Sequence, residues 1–267
     1  MDVVVPAHNE EAGISACLDR LAESTAVGKV VVVANGCADR TAEVARAHSS
    51  APDVVVLGTA GKAAALNAGD ARCTGFPRAY LDADVELGGR ALDALAAAAA
   101  RPEFEAAVPA ARIDLTGASW AVRRYYAVWQ RLPAVHRSSA GRGVYVLDAR
   151  AHDRLFPLPG DLISDDGHVS ASIERRVVVP EAVVTVRAPR DLGSLVRRRQ
   201  RVHSGNARLV RAAGPPTGVR TVVGLLRDRQ AYMADVAVFL AVTIAARAMA
   251  NLRRGPIDWG TDHSSRG

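Results

Sequence analysis

The feature that most constrains this chain is a set of short valine-rich runs that recur between helical stretches. DVVVPA (2–7), KVVVVAN (29–35) and DVVVLG (53–58) are apolar at successive positions. A half-exposed strand would instead alternate. A run apolar on both faces suits a parallel strand covered by helices on each side. RAYLDAD (78–84) and residues 104–113 read as further strands. Between them, Ile14, Leu18 and Leu21 recur with helical spacing, Asp39 stands where it can cap a helix starting at Arg40, and 61–71 and 88–100 read as helices. This alternation predicts an α/β fold built on a Rossmann-like, mostly parallel sheet with right-handed crossovers.

The second half is less regular. Residues 118–132 read as a helix carrying the local aromatics, 141–149 as a strand, and 161–173 as a loop entering a helix. Pro180 interrupts the β-rich run 176–188, which predicts two short strands or an edge strand. A helix follows at 191–211, capped by Asp191 or Ser194, then a loop at 212–218 and a long helical region to about 253. The linear reading is one domain over 1–190, divided near 104, with a helical extension over 191–267.

Charge and cysteine content narrow the function classes. Of the 34 basic residues 32 are arginine, so arginine alone argues little. Residues 187–211 hold eight arginines and one aspartate, a segment suited to an anionic partner. No zinc-finger spacing, aromatic RNA-binding motif or recognition helix accompanies it, so nucleic acid is not the expected partner. Cys17, Cys37 and Cys73 are scattered, which argues against a disulfide framework and for a reducing, cytoplasmic setting. The opening MDVVVPAHNEE has neither a basic nor a long apolar region, so no signal peptide is expected there. In 233–250, Asp235 and Arg247 leave 11 uncharged residues between them, short of the span of about 20 that a bilayer needs. Val236, Phe239, Leu240, Thr243 and Ile244 recur with helical spacing, and three readings stay open for 219–250: docking on the core, a homodimer contact, or a peripheral contact with the inner face of a membrane.

The chemistry-bearing residues gather at strand ends. Asp82 and Asp84 close the fourth run at i and i+2, either a polar turn or a metal site. His8, Asn9, Glu10 and Glu11 follow the first run, Asn35, Gly36 and Asp39 the second, and Lys62 and Asn67 the third. In open α/β sheets ligands bind beyond the carboxyl ends of the strands, so four such clusters point to one cleft. Neither GxGxxG nor a Walker loop is present. A diphosphate held on carboxylates by a divalent cation is the nucleotide chemistry that remains. SDDGHV (164–169) adds Asp165 and Asp166, either of which could take a proton from an attacking hydroxyl; the competing reading is a helix cap.

VVVPAHNEE, VVANGCADRTAEVA, GKAAALNAG and LDAD occur in an order that resembles the family-two nucleotide-sugar glycosyltransferases, which have the GT-A fold. GRGVYVLDA, SDDGHVSASI and RRRQRVHSGN extend the resemblance more loosely, and WGTDHSSR resembles the tail of some bacterial members. The resemblance implies an inverting, metal-dependent transfer of a sugar from a nucleotide-diphosphate sugar to an acceptor hydroxyl, by a catalytic domain over 1–190 with a nucleotide-sugar half over about 1–104 and an acceptor half over about 105–190. It implies that Ala7 and Glu10 line the nucleobase and ribose pocket, that Asp39 contacts the base, and that Lys62 lies near the base or diphosphate. Asp82 would meet the ribose or a water, and Asp84 would ligate Mg2+ or Mn2+. Asp166 takes the position of the family's base, with Asp165 in place of its usual glutamate. Arg201 and His203 fall where diphosphate-binding groups are expected, and His203 or His168 could add a metal ligand. Processive relatives carry Gln-x-x-Arg-Trp here; the tryptophan is missing, which fits transfer of a single sugar. The acceptor (lipid carrier, glycan or small metabolite) is not readable, although Trp120, Tyr126 and Trp129 could flank it. A sugar-nucleotide nucleotidyltransferase and a non-catalytic nucleotide-sugar binding protein are the alternatives. The first would need a glycine-rich basic loop after the first strand, where PAHNEE stands.

Overall fold

The structure is a computed structural model and describes residues 1–132, 135, 142–160, 162, 165–209, 224 and 232–252, without the side chains of 201–209 and 251–252. It divides into two compact units, Met1–Arg112 with Ser139–Thr185, and Ile113–Ser138 with Val186–Gly267. The second unit thus joins a segment of the expected acceptor half to the C-terminal extension.

In chain order the elements of the first half are β1 (Asp2–Ala7), α1 (Ile14–Ala22), β2 (Val30–Asn35), α2 (Thr41–Arg46), β3 (Asp53–Leu57), α3 (Lys62–Asp70), β4 (Arg78–Leu81) and α4 (Gly89–Ala99). There follow β5 (Ala106–Asp114), α5 (Trp120–Trp129), β6 (Val144–Leu147), α6 (Ala149–Leu155), α7 (Asp165–Ser172), β7 (Arg176–Arg187), α8 (Leu192–Leu209) and α9 (Met233–Leu252). The sheet order is β3-β2-β1-β4-β6-β5-β7. β1 pairs in parallel with both β2 and β4, and every residue of β1 is buried. That is the outcome the valine runs predict. β6 is the exception, running antiparallel to β4 and to β5.

β7 is one continuous strand at the sheet edge, and Pro180 is exposed within it. An edge tolerates proline because no neighbour needs its missing N–H. The core of the first unit packs Val4, Val31, Val33, Leu66, Tyr80, Tyr145, Leu147, Val169 and Ile173 together.

At the lower end of β4 lies a polar knot. Tyr80 donates its hydroxyl to Asp70 Oδ1 at 2.6 Å, the buried Arg78 pairs with the same carboxylate, and His152 Nε2 stands 3.0 Å from Oδ2. His152 therefore sits on α6 in a structural network.

In the second unit, Val122, Tyr125, Tyr126, Leu195, Val236, Phe239 and Val242 form the core. Asp191 starts α8 as its cap: Oδ1 accepts the Ser194 N–H and Oδ2 the Ser194 hydroxyl, both at 2.8 Å. Tyr126 is buried there, so the acceptor role suggested for it does not fit; Trp120 is 60% exposed. α9 corrects one expectation. It is 20 residues long, and Met233–Ala250 has a mean hydropathy of 1.7, enough by length and composition to cross a membrane, a signature that core helices of soluble proteins share. Asp235 does not break it, because its buried carboxylate pairs with Arg124 at 3.0 Å. Val236 and Phe239 face the core as their spacing predicts, whereas Leu240 and Ile244 are exposed.

Candidate active site

The site stands at the carboxyl ends of β1, β2 and β4, where successive crossovers leave β1 in opposite directions. That divergence opens a crevice in any such sheet. The loop after β1 is built by side chains reaching from the loop after β2. Asp39 Oδ2 accepts the Glu11 N–H at 3.0 Å, Asp39 Oδ1 accepts the Thr41 N–H at 3.0 Å, and the Thr41 hydroxyl oxygen accepts the Glu10 N–H at 2.9 Å. Burial pushes the Asp39 carboxyl up, but these hydrogen bonds outweigh it and hold it below the usual range. The helix α2 starts one residue later than expected, with Arg40 at its cap position, so Asp39 holds the turn leading into α2 rather than capping it, and staples two loops. His8 Nδ1–H donates to the Asn35 carbonyl at 2.7 Å, and Asn35 Oδ1 accepts the Gly61 N–H at 2.8 Å. Gly36 has φ +60, and a β-carbon there would stand 2.5 Å from the Ala60 nitrogen, so only glycine lets these loops meet.

Lys62 opens α3 and is the centre of the arrangement. Its Nζ lies 2.7 Å from Asp82 Oδ1, 3.0 Å from Asp82 Oδ2 and 2.9 Å from Asp165 Oδ1. Burial works against its charge, but Asp165, Asp82 and Asp166 together raise its pKa and keep it cationic. Burial, with the nearby Asp165 and Asp84, pushes the Asp82 carboxyl up to about 7 despite Lys62. The opposed directions share one cause, several carboxylates crowded around a single ammonium.

Asp84 lies in the field of Asp82, and Glu10 acts with both on Cys17 of α1. Burial pushes the nearby Cys17 thiol up to about 12, with Asp84, Glu10 and Asp82 adding to the effect. Asp165 and Asp166 begin α7, Asp165 is 6% exposed, and the Gly167 N–H donates to Asp166 Oδ1 at 2.8 Å. His168 is half-buried, which lowers its pKa and favours the neutral ring.

The structure therefore brings together Lys62, Asp82, Asp165 and Asp166, with Asp84 in the field of Asp82 and Ala7 buried at the end of β1. Asn67 does not join them: it holds Leu158, donating to its carbonyl and accepting its N–H at 2.8 Å each. The side chains of Arg201 and His203 lie outside the described residues. Two site residues escaped the sequence reading. Gly143, with φ +66, lets β6 approach Asp82, whose N–H donates to the Gly143 carbonyl at 2.8 Å. Tyr145 lies opposite Tyr80 and has a buried hydroxyl with no partner among the described residues. A lone hydroxyl in the apolar run VYVL was the available signal.

The profile of "Glycosyl transferase family 2" matches residues 2–142, the stretch that contains β1 to β4 and their loops. The chain belongs to this family. It is therefore an enzyme of the glycosyltransferase class, and its sheet is the core of the GT-A fold. No curated protein sequence matches it. Among solved structures, a mannosyltransferase from Pyrobaculum calidifontis in complex with GDP-Man and Mn2+ is similar, with TM-score 0.63 and 24% identity, covering 96% of this chain and 76% of that one. TarS 1-349 of S. aureus in complex with UDP gives TM-score 0.54 at 14% identity, covering 96% and 94%. Glucosyl-3-phosphoglycerate synthase from Mycobacterium tuberculosis, with Mn2+, UDP and phosphoglyceric acid, gives 0.57 at 21% identity, covering 80% and 78%. At these identities the likeness speaks for the fold. The family match carries the class of reaction.

Proposed function

We propose that this glycosyltransferase moves a single sugar, with inversion, from a nucleotide-diphosphate sugar to an acceptor hydroxyl, using Asp166 as general base. The supporting observation is the Lys62 bridge, which joins the end of β4 to the start of α7. Donor-side and acceptor-side carboxylates then face one crevice.

The carboxylates fit a divalent cation of the kind this reaction uses. Among the described residues no three His, Cys, Asp or Glu side chains form a metal cage. Magnesium-type sites that work on diphosphates do not need one, since one or two carboxylates and the phosphate oxygens suffice. Asp84, exposed beyond β4, is the residue that would hold Mg2+ or Mn2+. When bound, the cation neutralises charge on the departing nucleoside diphosphate. Asp82 is turned to Lys62 instead. Asp166 takes the acceptor proton as the hydroxyl oxygen attacks the anomeric carbon and the bond to the diphosphate breaks. Ala7, Glu10 and the Asp39-stapled loop form the nucleoside side of the crevice.

The three free cysteines suit a reducing, cytoplasmic setting. The decisive test is a panel of nucleotide sugars with Mg2+ or Mn2+, scored by thermal stabilisation and donor hydrolysis. GDP-mannose and UDP-glucose lead the panel, because similar structures were solved with GDP-Man, UDP-Glc and UDP. Stabilisation by a donor only with metal present is expected; no effect from any donor would overturn the reading.

A further inference from the structure

Asp165 and Asp166 are adjacent on a helix, so their side chains leave it in directions about 100° apart. Asp165 is the buried one, and its Oδ1 is bound to Lys62 Nζ at 2.9 Å. The same ammonium holds both oxygens of Asp82. Lys62 and Asp165 are the first residues of α3 and α7. One cation therefore ties the first turns of two helices to the end of a central strand. The buried Tyr145 hydroxyl lies within the field of Asp165, Asp82 and Asp166.

We propose that Lys62 and Asp165 are positioning residues, whose ion pair pins the first turn of α7 to the end of β4 and thereby aims Asp166 at the acceptor hydroxyl. This rests on the reading of Asp166 as the base. Asp165 does no proton chemistry. A cut ion pair leaves the base on a loosened helix end, and misplacement of a reacting group by about 1 Å costs on the order of 100-fold in rate.

The test compares the full chain with Asp165→Asn, Asp165→Glu and Lys62→Met. In steady-state transfer, Asp165→Asn should lower kcat about 100-fold while changing the donor KM less than about threefold. Asp165→Glu keeps the charge for Lys62 and should recover much of kcat; a role in folding alone would not divide kcat from KM in this way. Hydrogen exchange gives a readout independent of activity. Amides of 165–172 should exchange at least about tenfold faster in Asp165→Asn and Lys62→Met, with β1 to β3 unchanged. A kcat within about threefold of wild type for Asp165→Asn, or unaltered α7 exchange in both variants, would overturn the proposal. If wild type transfers no sugar, the functional reading fails, and the exchange data alone still decide whether the ion pair pins α7.

Discussion

Gly143 packs so closely on Asp82 that a β-carbon on Gly143 would stand 3.0 Å from Asp82 Oδ2. The same atom would lie 2.7 Å from Val85 Cγ2, and Gly143 has φ +66. Gly143→Ala therefore meets two obstacles, a left-handed backbone costing about 1–2 kcal/mol and a collision at the site. We expect a lower Tm and weakened donor stabilisation together. An unchanged Tm would mean that β6 shifts freely at this point.

The two acidic pairs should separate donor binding from transfer. Asp84→Asn is expected to abolish metal-dependent thermal stabilisation by the donor. Asp166→Asn should keep that stabilisation and lose transfer by at least about 100-fold, the scale of a missing general base. If Asp166→Asn retains transfer, the base lies elsewhere.

Tyr145 buries a hydroxyl that has no partner among the described residues. An unmet buried hydroxyl costs about 1–3 kcal/mol, so Tyr145→Phe should raise stability, by about 1 kcal/mol in denaturant unfolding. A loss of stability would show that the hydroxyl is bonded in solution.

The Asp70 knot links stability to pH. Burial raises the Asp70 carboxyl, but hydrogen bonds from Tyr80, His152 and Arg78 outweigh it and leave the pKa depressed. A depressed carboxyl contributes stability above its unfolded value of about 3.9 and loses it as pH falls through the folded value. Asp70→Asn leaves buried Arg78 without its anion and should cost about 3 kcal/mol at pH 7. The gap to wild type should begin to narrow below about pH 4, where Asp70 of the unfolded chain takes up a proton, and close as pH falls through the lower folded value. Unfolding curves at pH 7, 5 and 3.5 would reveal it, and a constant gap would contradict it.

In the second unit, Asp235 accepts from Arg124 at 3.0 Å and from the Tyr232 N–H at 3.2 Å. Asp235→Ala should destabilise by about 1–3 kcal/mol, read as a shift in the denaturant midpoint. Donor stabilisation should survive, because the donor site proposed here is built from the first unit alone.

By itself the sequence determined the α/β alternation, the buried central strand and the polar strand ends, because apolar periodicity and turn chemistry are local properties. The bounds of β1, the edge position of Pro180 and the capping by Asp191 were all legible in this way. The tertiary structure alone decided which carboxylates meet. Lys62 meets Asp82 and Asp165 because α3 and α7 converge on the end of β4, a meeting of segments distant in sequence that no local pattern encodes. The antiparallel course of β6, the close approach of Gly143 to Asp82 and the unmet hydroxyl of Tyr145 depend likewise on which strands become neighbours. Asn67 shows the converse: it has the residue type and the strand-end location of a site group, yet it binds Leu158 because its helix turns it away from the crevice.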